Sequence, residues 1–187
     1  VNRVKRLLGV AKAGHTGTLD PMATGVLPVC IGNATKAADM LTLSDKAYTA
    51  VFKLGVRTDT LDIEGEILEE KPVDVTEEQL RSVIKKFEGE IFQIPPMYSA
   101  IQVNGQRLYH LARQGIEVER NHRKCEIYEL SVEKAENGEY SLYCECSAGT
   151  YIRTLCEDIA NKLGTVGFMK ELEKINSVAS REYPEAK

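Results

Sequence analysis

Gly14-His15-Thr16-Gly17-Thr18-Leu19-Asp20-Pro21-Met22-Ala23-Thr24-Gly25 is the stretch on which the reading of this chain turns. Three glycines and a proline in twelve residues describe a tight, irregular backbone, since glycine reaches left-handed conformations and proline fixes its own φ. His15, Thr16, Thr18, Asp20 and Thr24 crowd it with polar side chains. An apolar run over residues 26–31 follows at once and reads as a short buried strand. A polar loop held by a buried strand is a good place for a pre-organised functional group. Composition alone leaves a second reading open, because Asp before Pro starts turns and Thr and Asp side chains satisfy loop amides.

Outward from this loop the pattern is mixed. Residues 1–10 read as a helix with Val4, Leu7 and Leu8 on one side, and residues 34–43 as another. Tyr48, Ala50, Phe52 and Leu54 alternate, which predicts a strand with these four on one face. Thr76-Glu77-Glu78-Gln79 is a capping box, so a helix is expected from there to about Phe87, stopped by Gly89. Asn104-Gly105 and Asn137-Gly138 are hairpin turns, the second joining strands over 125–134 and 139–147. Residues 150–163 form an amphipathic helix ending at Gly164, and a further short helix is predicted over 167–174. Strands outnumber helices and hairpins recur. The fold class is therefore α+β, a mixed, largely antiparallel sheet flanked by helices, with residues 1–187 as one domain. No GxGxxG or Walker loop occurs, which disfavours a nucleotide-dependent enzyme.

The chain has 187 residues, 43% hydrophobic and 28% charged, ordinary values for a globular domain. No apolar run approaches the roughly 18 residues that span a membrane, and no secretory signal opens the chain. The five cysteines read as free thiols in a reducing cytosol, so a cytoplasmic location is expected. Cys144 and Cys146 share one face of a strand, but no second ligand pair follows for a metal. The net charge of −4 argues mildly against nucleic acid. The charge is segregated, however: Arg3, Lys5, Arg6, Lys12 and Lys36 face only Asp20 in the first 36 residues.

Residues 14–36, GHTGTLDPMATGVLPVCIGNATK, closely resemble the signature of the TruB family of tRNA pseudouridine synthases. Further matches follow in order. Asp45-Lys46-Ala47-Tyr48 is similar to the family's D-K-x-Y strand, and Gly55-Val56-Arg57-Thr58-Asp59-Thr60-Leu61-Asp62 to its G-x-x-T-D-T-x-D segment. Residues 94–100 (IPPMYSA), Arg107-Leu108-Tyr109 and Ala112-Arg113-Gln114-Gly115 resemble its RNA-gripping insertion, placed here over 90–122. Gly149-Thr150-Tyr151-Ile152-Arg153 resembles its catalytic arginine motif.

The resemblance implies the pseudouridine synthase catalytic fold and isomerisation of uridine to pseudouridine at position 55 in the T-loop of tRNA. Asp20 takes the place of the nucleophile, Arg153 of the arginine paired with it, and Tyr48 of a tyrosine that stacks on the flipped base and assists proton removal. An aspartate of ordinary acidity is ionised at neutral pH and needs no activating base. It attacks either the anomeric carbon or the electron-poor uracil ring, and both routes break C1′–N1 and form C1′–C5. An isomerisation of this kind calls for no cofactor and no metal. The resemblance further makes Asp62 an orienting group and Leu172 an apolar pocket residue. It makes His15 the side chain that fills space left by flipped nucleotides. Thr18 is a further candidate RNA contact on the same loop. In the insertion, Tyr98, Arg107, Tyr109 and Arg113 suit stacking and phosphate contacts on looped RNA, and this hairpin is expected to be mobile without RNA.

Three departures from the family pattern stand out. An N-terminal strand with a K-P-x-G motif and a small C-terminal RNA-binding module are expected beyond the two ends of the chain. Leu172-Glu173-Lys174 stands where relatives carry L-R-R, which exchanges one basic contact for an acidic one. The partner expected is tRNA alone, with no membrane, no required protein partner and a monomer as the default. Two rival functions remain: a guide-RNA-dependent pseudouridine synthase subunit, and a tRNA folding chaperone or RNA-binding module. Leu27-Pro28-Val29, Thr58-Asp59-Thr60 and the insertion favour the stand-alone enzyme over the first; intact Asp20, Tyr48 and Arg153 weigh against the second.

Overall fold

The computed structural model describes residues 1–178, and its centre is the strand announced by Tyr48, Ala50, Phe52 and Leu54. In chain order, α1 (Asn2–Leu7) leads into β1 (Ala13–His15), then β2 (Thr24–Gly25) and β3 (Val29–Ile31). A 3-10 segment, Gly32–Ala37, runs into α2 (Ala38–Thr42) and β4 (Asp45–Leu54). β5 (Val56–Thr58) and β6 (Ile67–Glu70) precede α3 (Glu77–Ile84) and β7 (Gly89–Gln93). The insertion holds β8 (Gln102–Val103), β9 (Gln106–Arg107) and α4 (Leu108–Arg113). β10 (Arg123–Lys134), β11 (Glu139–Cys146), α5 (Ile152–Lys162) and β12 (Gly167–Val178) complete the order.

Six strands form the main sheet in the order β2-β12-β4-β11-β10-β7. Every pair is antiparallel except β12 with β2. The α+β architecture expected from the sequence is the one observed. One face carries the core: Ala50, Phe52 and Leu54 of β4, Leu142, Cys144 and Cys146 of β11, and Met169 and Leu172 of β12. Leu80, Val83 and Ile84 of α3 and Leu155, Cys156 and Ile159 of α5 cover it. Phe52 is fully enclosed and stacks on Tyr140 at 5.4 Å between ring centroids. Burial of one such side chain contributes about 1.5–3 kcal/mol. All five cysteines are buried free thiols.

Several local expectations are met in detail. The capping box is made in both directions, Thr76 Oγ1 accepting from Gln79 N and Gln79 Oε1 from Thr76 N. Asn104 and Gly105 both take positive φ between β8 and β9, as the primed hairpin turn requires. Other expectations are corrected. The segment over 167–174 is not a helix but the start of β12, the strand between β2 and β4. Its register shifts between Met169 and Glu171 and again between Lys174 and Asn176. The first bulge puts a three-residue spacing between the buried positions Met169 and Leu172, which mimics a helical face. The run over 26–31 is strand only from Val29, with Cys30 alone buried; Val26 is 46% exposed. α1 forms, yet Leu7 and Leu8 lie exposed, so it buries no face. The helix after the capping box ends at Ile84, short of Phe87, and the helix over 34–43 begins as 3-10.

Candidate functional site

Arg153 occupies the first turn of α5, and the residues before it aim it. The Gln93 amide clamps Tyr151 in both directions, accepting from its N–H at 3.0 Å and donating to its carbonyl at 3.2 Å. The helix therefore starts at a fixed angle, and the Arg153 guanidinium, 5% exposed, reaches across to three other segments. Nη2 donates to Asp20 Oδ1 at 2.8 Å and to the Tyr98 carbonyl at 2.9 Å. Nη1 donates to the Thr60 carbonyl at 3.0 Å and stands 3.5 Å from Asp62 Oδ2. The planar fork thus holds one carboxylate on each side.

Asp62 is fixed by its own turn. Its Oδ1 accepts from Thr60 Oγ1 at 2.6 Å and from Glu64 N at 3.0 Å, and its carbonyl accepts from Thr58 Oγ1 at 2.7 Å. Leu61 takes φ 63, a left-handed conformation that a bulky side chain adopts only under constraint. Met169 N supplies part of that constraint by donating to the Leu61 carbonyl. Gly65 is required here, because a Cβ would run into Thr60 Oγ1 and Asp59 Oδ1.

Asp20 hangs from the loop between β1 and β2, its side chain 26% exposed. Burial pushes its carboxyl above the usual aspartate value; Arg153 pulls it down by charge and hydrogen bond, Asp62 raises it further, and the balance is upward. The expectation of ordinary acidity is therefore corrected. Tyr48, on β4, is driven up by burial first and then by Cys146 and Asp20, so it is a neutral phenol. A neutral phenol is a stacking surface and a hydrogen-bond donor, and it takes up a proton only by passing its own on.

The other sequence candidates divide into three groups. Tyr98 joins the site through its backbone, while its hydroxyl donates to Asp59 Oδ2 at 3.3 Å. Arg107 and Arg113 lie over the Tyr109 ring at 6.0 and 5.6 Å, a cation–aromatic cluster within the insertion. Tyr109 also meets His110, ring centroids 4.2 Å apart. The insertion is tied down by the buried Leu108 and Leu111. His15 and Thr18 are exposed on the loop, and His15 Nδ1 bonds within it to the Gly17 carbonyl. Leu172 is buried in the core across from Ala50. In the Leu172-Glu173-Lys174 departure, Glu173 is exposed and Lys174 is buried. Gln93, Thr58, Thr60 and Gly65 were not singled out as site residues. The dense Thr58-Asp59-Thr60-Leu61-Asp62 polarity was the signal available for the threonines; nothing local marks Gln93.

The same backbone is found in solved structures of a Cbf5–Nop10–Gar1 complex (TM-score 0.71, 32% identity, covering 94% of this chain and 43% of that one) and of an H/ACA RNP bound to a substrate RNA containing 2′-deoxyuridine (TM-score 0.66, 30% identity, 94% and 42%). The sequence model for the TruB family pseudouridylate synthase N-terminal domain matches residues 5–152, and the chain belongs to that family. Among curated relatives, tRNA pseudouridine synthase B of Clostridium tetani is 52% identical over 175 residues, 93% of this chain and 61% of that protein. The Stutzerimonas stutzeri protein of the same name is 51% identical over 174 residues, 93% and 57%. The chain thus spans about three fifths of the length of these relatives.

Proposed function

We propose that this chain carries out the isomerisation of uridine to pseudouridine at position 55 of the tRNA T-loop, with Asp20 as nucleophile. The observation that carries the reading is the Arg153–Asp20 pair at 2.8 Å, with Arg153 buried and locked by two carbonyls and Asp62. A guanidinium held in this way fixes the carboxylate oxygen toward an incoming C1′ or ring carbon and opposes the effect of burial on its charge. The uridine is extruded from the T-loop to reach it, at a cost of a few kcal/mol. Tyr48 supplies the stacking face, and His15 at the exposed loop fills the vacated space. Arg107, Tyr109 and Arg113 grip the folded loop of the RNA. No helix among the described residues is long and apolar enough to cross a membrane; tRNA as the sole partner and a cytoplasmic location go with this reading.

The test is conversion of uridine in an unmodified tRNA transcript by wild type and by Asp20→Asn, with the modified position mapped. Conversion at position 55 that disappears in Asp20→Asn while tRNA binding persists is expected. Equal activity in both proteins refutes the nucleophile assignment; binding without conversion in wild type points to a folding chaperone. The guide-RNA-dependent alternative gains weight from the likeness to the H/ACA RNP at 30% identity. The 52% identity to a tRNA pseudouridine synthase B outweighs it, and activity on naked tRNA without guide RNA separates the two.

A further inference from the structure

The two carbonyls that hold Arg153 belong to Thr60, in the turn after β5, and to Tyr98, where the insertion leaves the sheet. These segments are joined a second time. Asp59, next to Thr60, accepts from the Tyr98 hydroxyl through Oδ2 at 3.3 Å. A closed ring results: from the guanidinium to the Thr60 carbonyl, along the chain to Asp59, across to Tyr98, and from the Tyr98 carbonyl back to the guanidinium. Arg153 Nη2, which closes the ring, is the same atom that donates to Asp20 Oδ1. A shift of Tyr98 therefore changes how the fork presents that donor to Asp20.

Asp59 is itself held in its turn. Its Oδ1 accepts from Glu66 N at 2.9 Å, and its own N–H donates to the Glu66 carbonyl at 3.1 Å. Gly65 packs so closely that a Cβ there would run into Oδ1. The Tyr98 phenol is raised by burial first and then by Asp59, so it keeps its proton and donates it. The other side of this joint leads into the insertion. Tyr109 N donates to the Ser99 carbonyl at 3.1 Å and Leu108 N to the Ile101 carbonyl at 2.8 Å, so α4 starts from the segment directly after Tyr98. Tyr109 is also the ring over which Arg107 and Arg113 lie. The path from that cation–aromatic cluster to Asp20 is short, through Ser99, Tyr98 and Arg153. At 3.3 Å the Tyr98–Asp59 bond is longer than the about 2.5–3.0 Å usual for O–H···O, which leaves the insertion room to draw in.

We propose that Asp59 is a positioning residue: by holding the Tyr98 hydroxyl it sets the entry of the insertion against Arg153, and so couples the seating of a looped RNA on the insertion to the alignment of Asp20. The proposal rests on the RNA-modifying reading above. RNA that engages Tyr109 and its arginines pulls on the segment after Tyr98. With the joint intact that pull reaches Arg153; without it the segment absorbs the pull.

The experiment compares wild type with Tyr98→Phe, which removes the hydroxyl and keeps the ring and carbonyl, and with Asp59→Asn, whose one amide oxygen serves Glu66 N or Tyr98 but not both. NMR of isotope-labelled arginine reads the Arg153 guanidinium directly, free and with a T-arm stem-loop RNA. In wild type, solvent exchange of the Arg153 Nη protons is expected to slow when RNA binds. In both variants it is expected to be faster and to lose most of that response. Single-turnover conversion is expected to fall roughly 10- to 100-fold, with Kd for the RNA within a few-fold. The double variant is expected to be no slower than the slower single variant, because each removes the same bond. The acidic limb of the rate is expected to move to higher pH, since a misaligned Arg153 pulls the Asp20 carboxyl down less. Should Asp59→Asn not fold, Tyr98→Phe decides. Unchanged exchange in folded Tyr98→Phe overturns the proposal, whatever the rates. Weaker RNA binding with an unchanged rate at saturating RNA makes Tyr98 an RNA contact only and also overturns it. No conversion in wild type, with faster exchange in the variants, sinks the enzymatic reading and leaves the joint standing.

Discussion

At Asp20 two effects oppose each other: burial favours the neutral acid, and Arg153 favours the carboxylate. Burial leads, so the carboxyl titrates above the ordinary 3.8. Only the ionised form serves the nucleophilic role proposed for Asp20. The acidic limb of kcat/KM is therefore expected at a higher pH than an ordinary aspartate gives, and a midpoint at or below 3.8 contradicts the geometry. Arg153 is expected to act through position as much as charge. Arg153→Lys keeps the charge but loses the fork that spans Asp20, Asp62 and two carbonyls. A fall of roughly 100-fold or more in single-turnover rate, with tRNA Kd within a few-fold, is expected by analogy with the removal of one pre-organised donor. A variant as fast as wild type shows that charge alone suffices.

At the scale of elements, the join between β2 and β12 holds the loop of Asp20 in place. Gly25 has φ 98, and a Cβ there would overlap the Lys174 carbonyl. Gly25→Ala combines left-handed strain with a backbone clash, and a loss above about 1 kcal/mol in urea unfolding is expected, with a matching drop in conversion. Unaltered stability and rate would mean that the join is dispensable. β12 also shows where sequence patterning misleads. Its bulge moves buried positions from period two to a spacing of three, and only the ladder with β4 reveals that the segment is a strand.

Across the whole molecule, Asp158 links pH to stability. Burial, helped by Glu157, raises its carboxyl to about 6 from 3.8. The folded chain holds this proton more tightly than the unfolded chain, so the contribution of Asp158 is complete below 3.8 and is lost as pH rises through about 6. Asp158→Asn is expected to raise Tm at pH 7, with the gap to wild type closing as pH falls below 6. A gap constant from pH 5 to 8 contradicts this.

Part of the element order was legible, where local signals agreed: alternation in β4, the capping box of α3, the Asn-Gly turns and the periodicity of α5. Asp20, Tyr48, Arg153 and Asp62 were singled out through the resemblance of their motifs to the TruB family; taken alone, their residue types read equally as turn, core or surface positions. What the chain determined by itself was therefore the α+β class, the family and a set of candidate groups for the site. The tertiary structure alone decided that Gln93 aims Arg153, that Tyr98 serves the site through its carbonyl, that burial lifts Asp20 above its ordinary pKa, and that Asp59 meets the Tyr98 hydroxyl. These depend on contacts across the fold, as between Gln93 and Tyr151 or Asp20 and Arg153, and on desolvation, which is a property of the packed molecule and has no local trace in sequence.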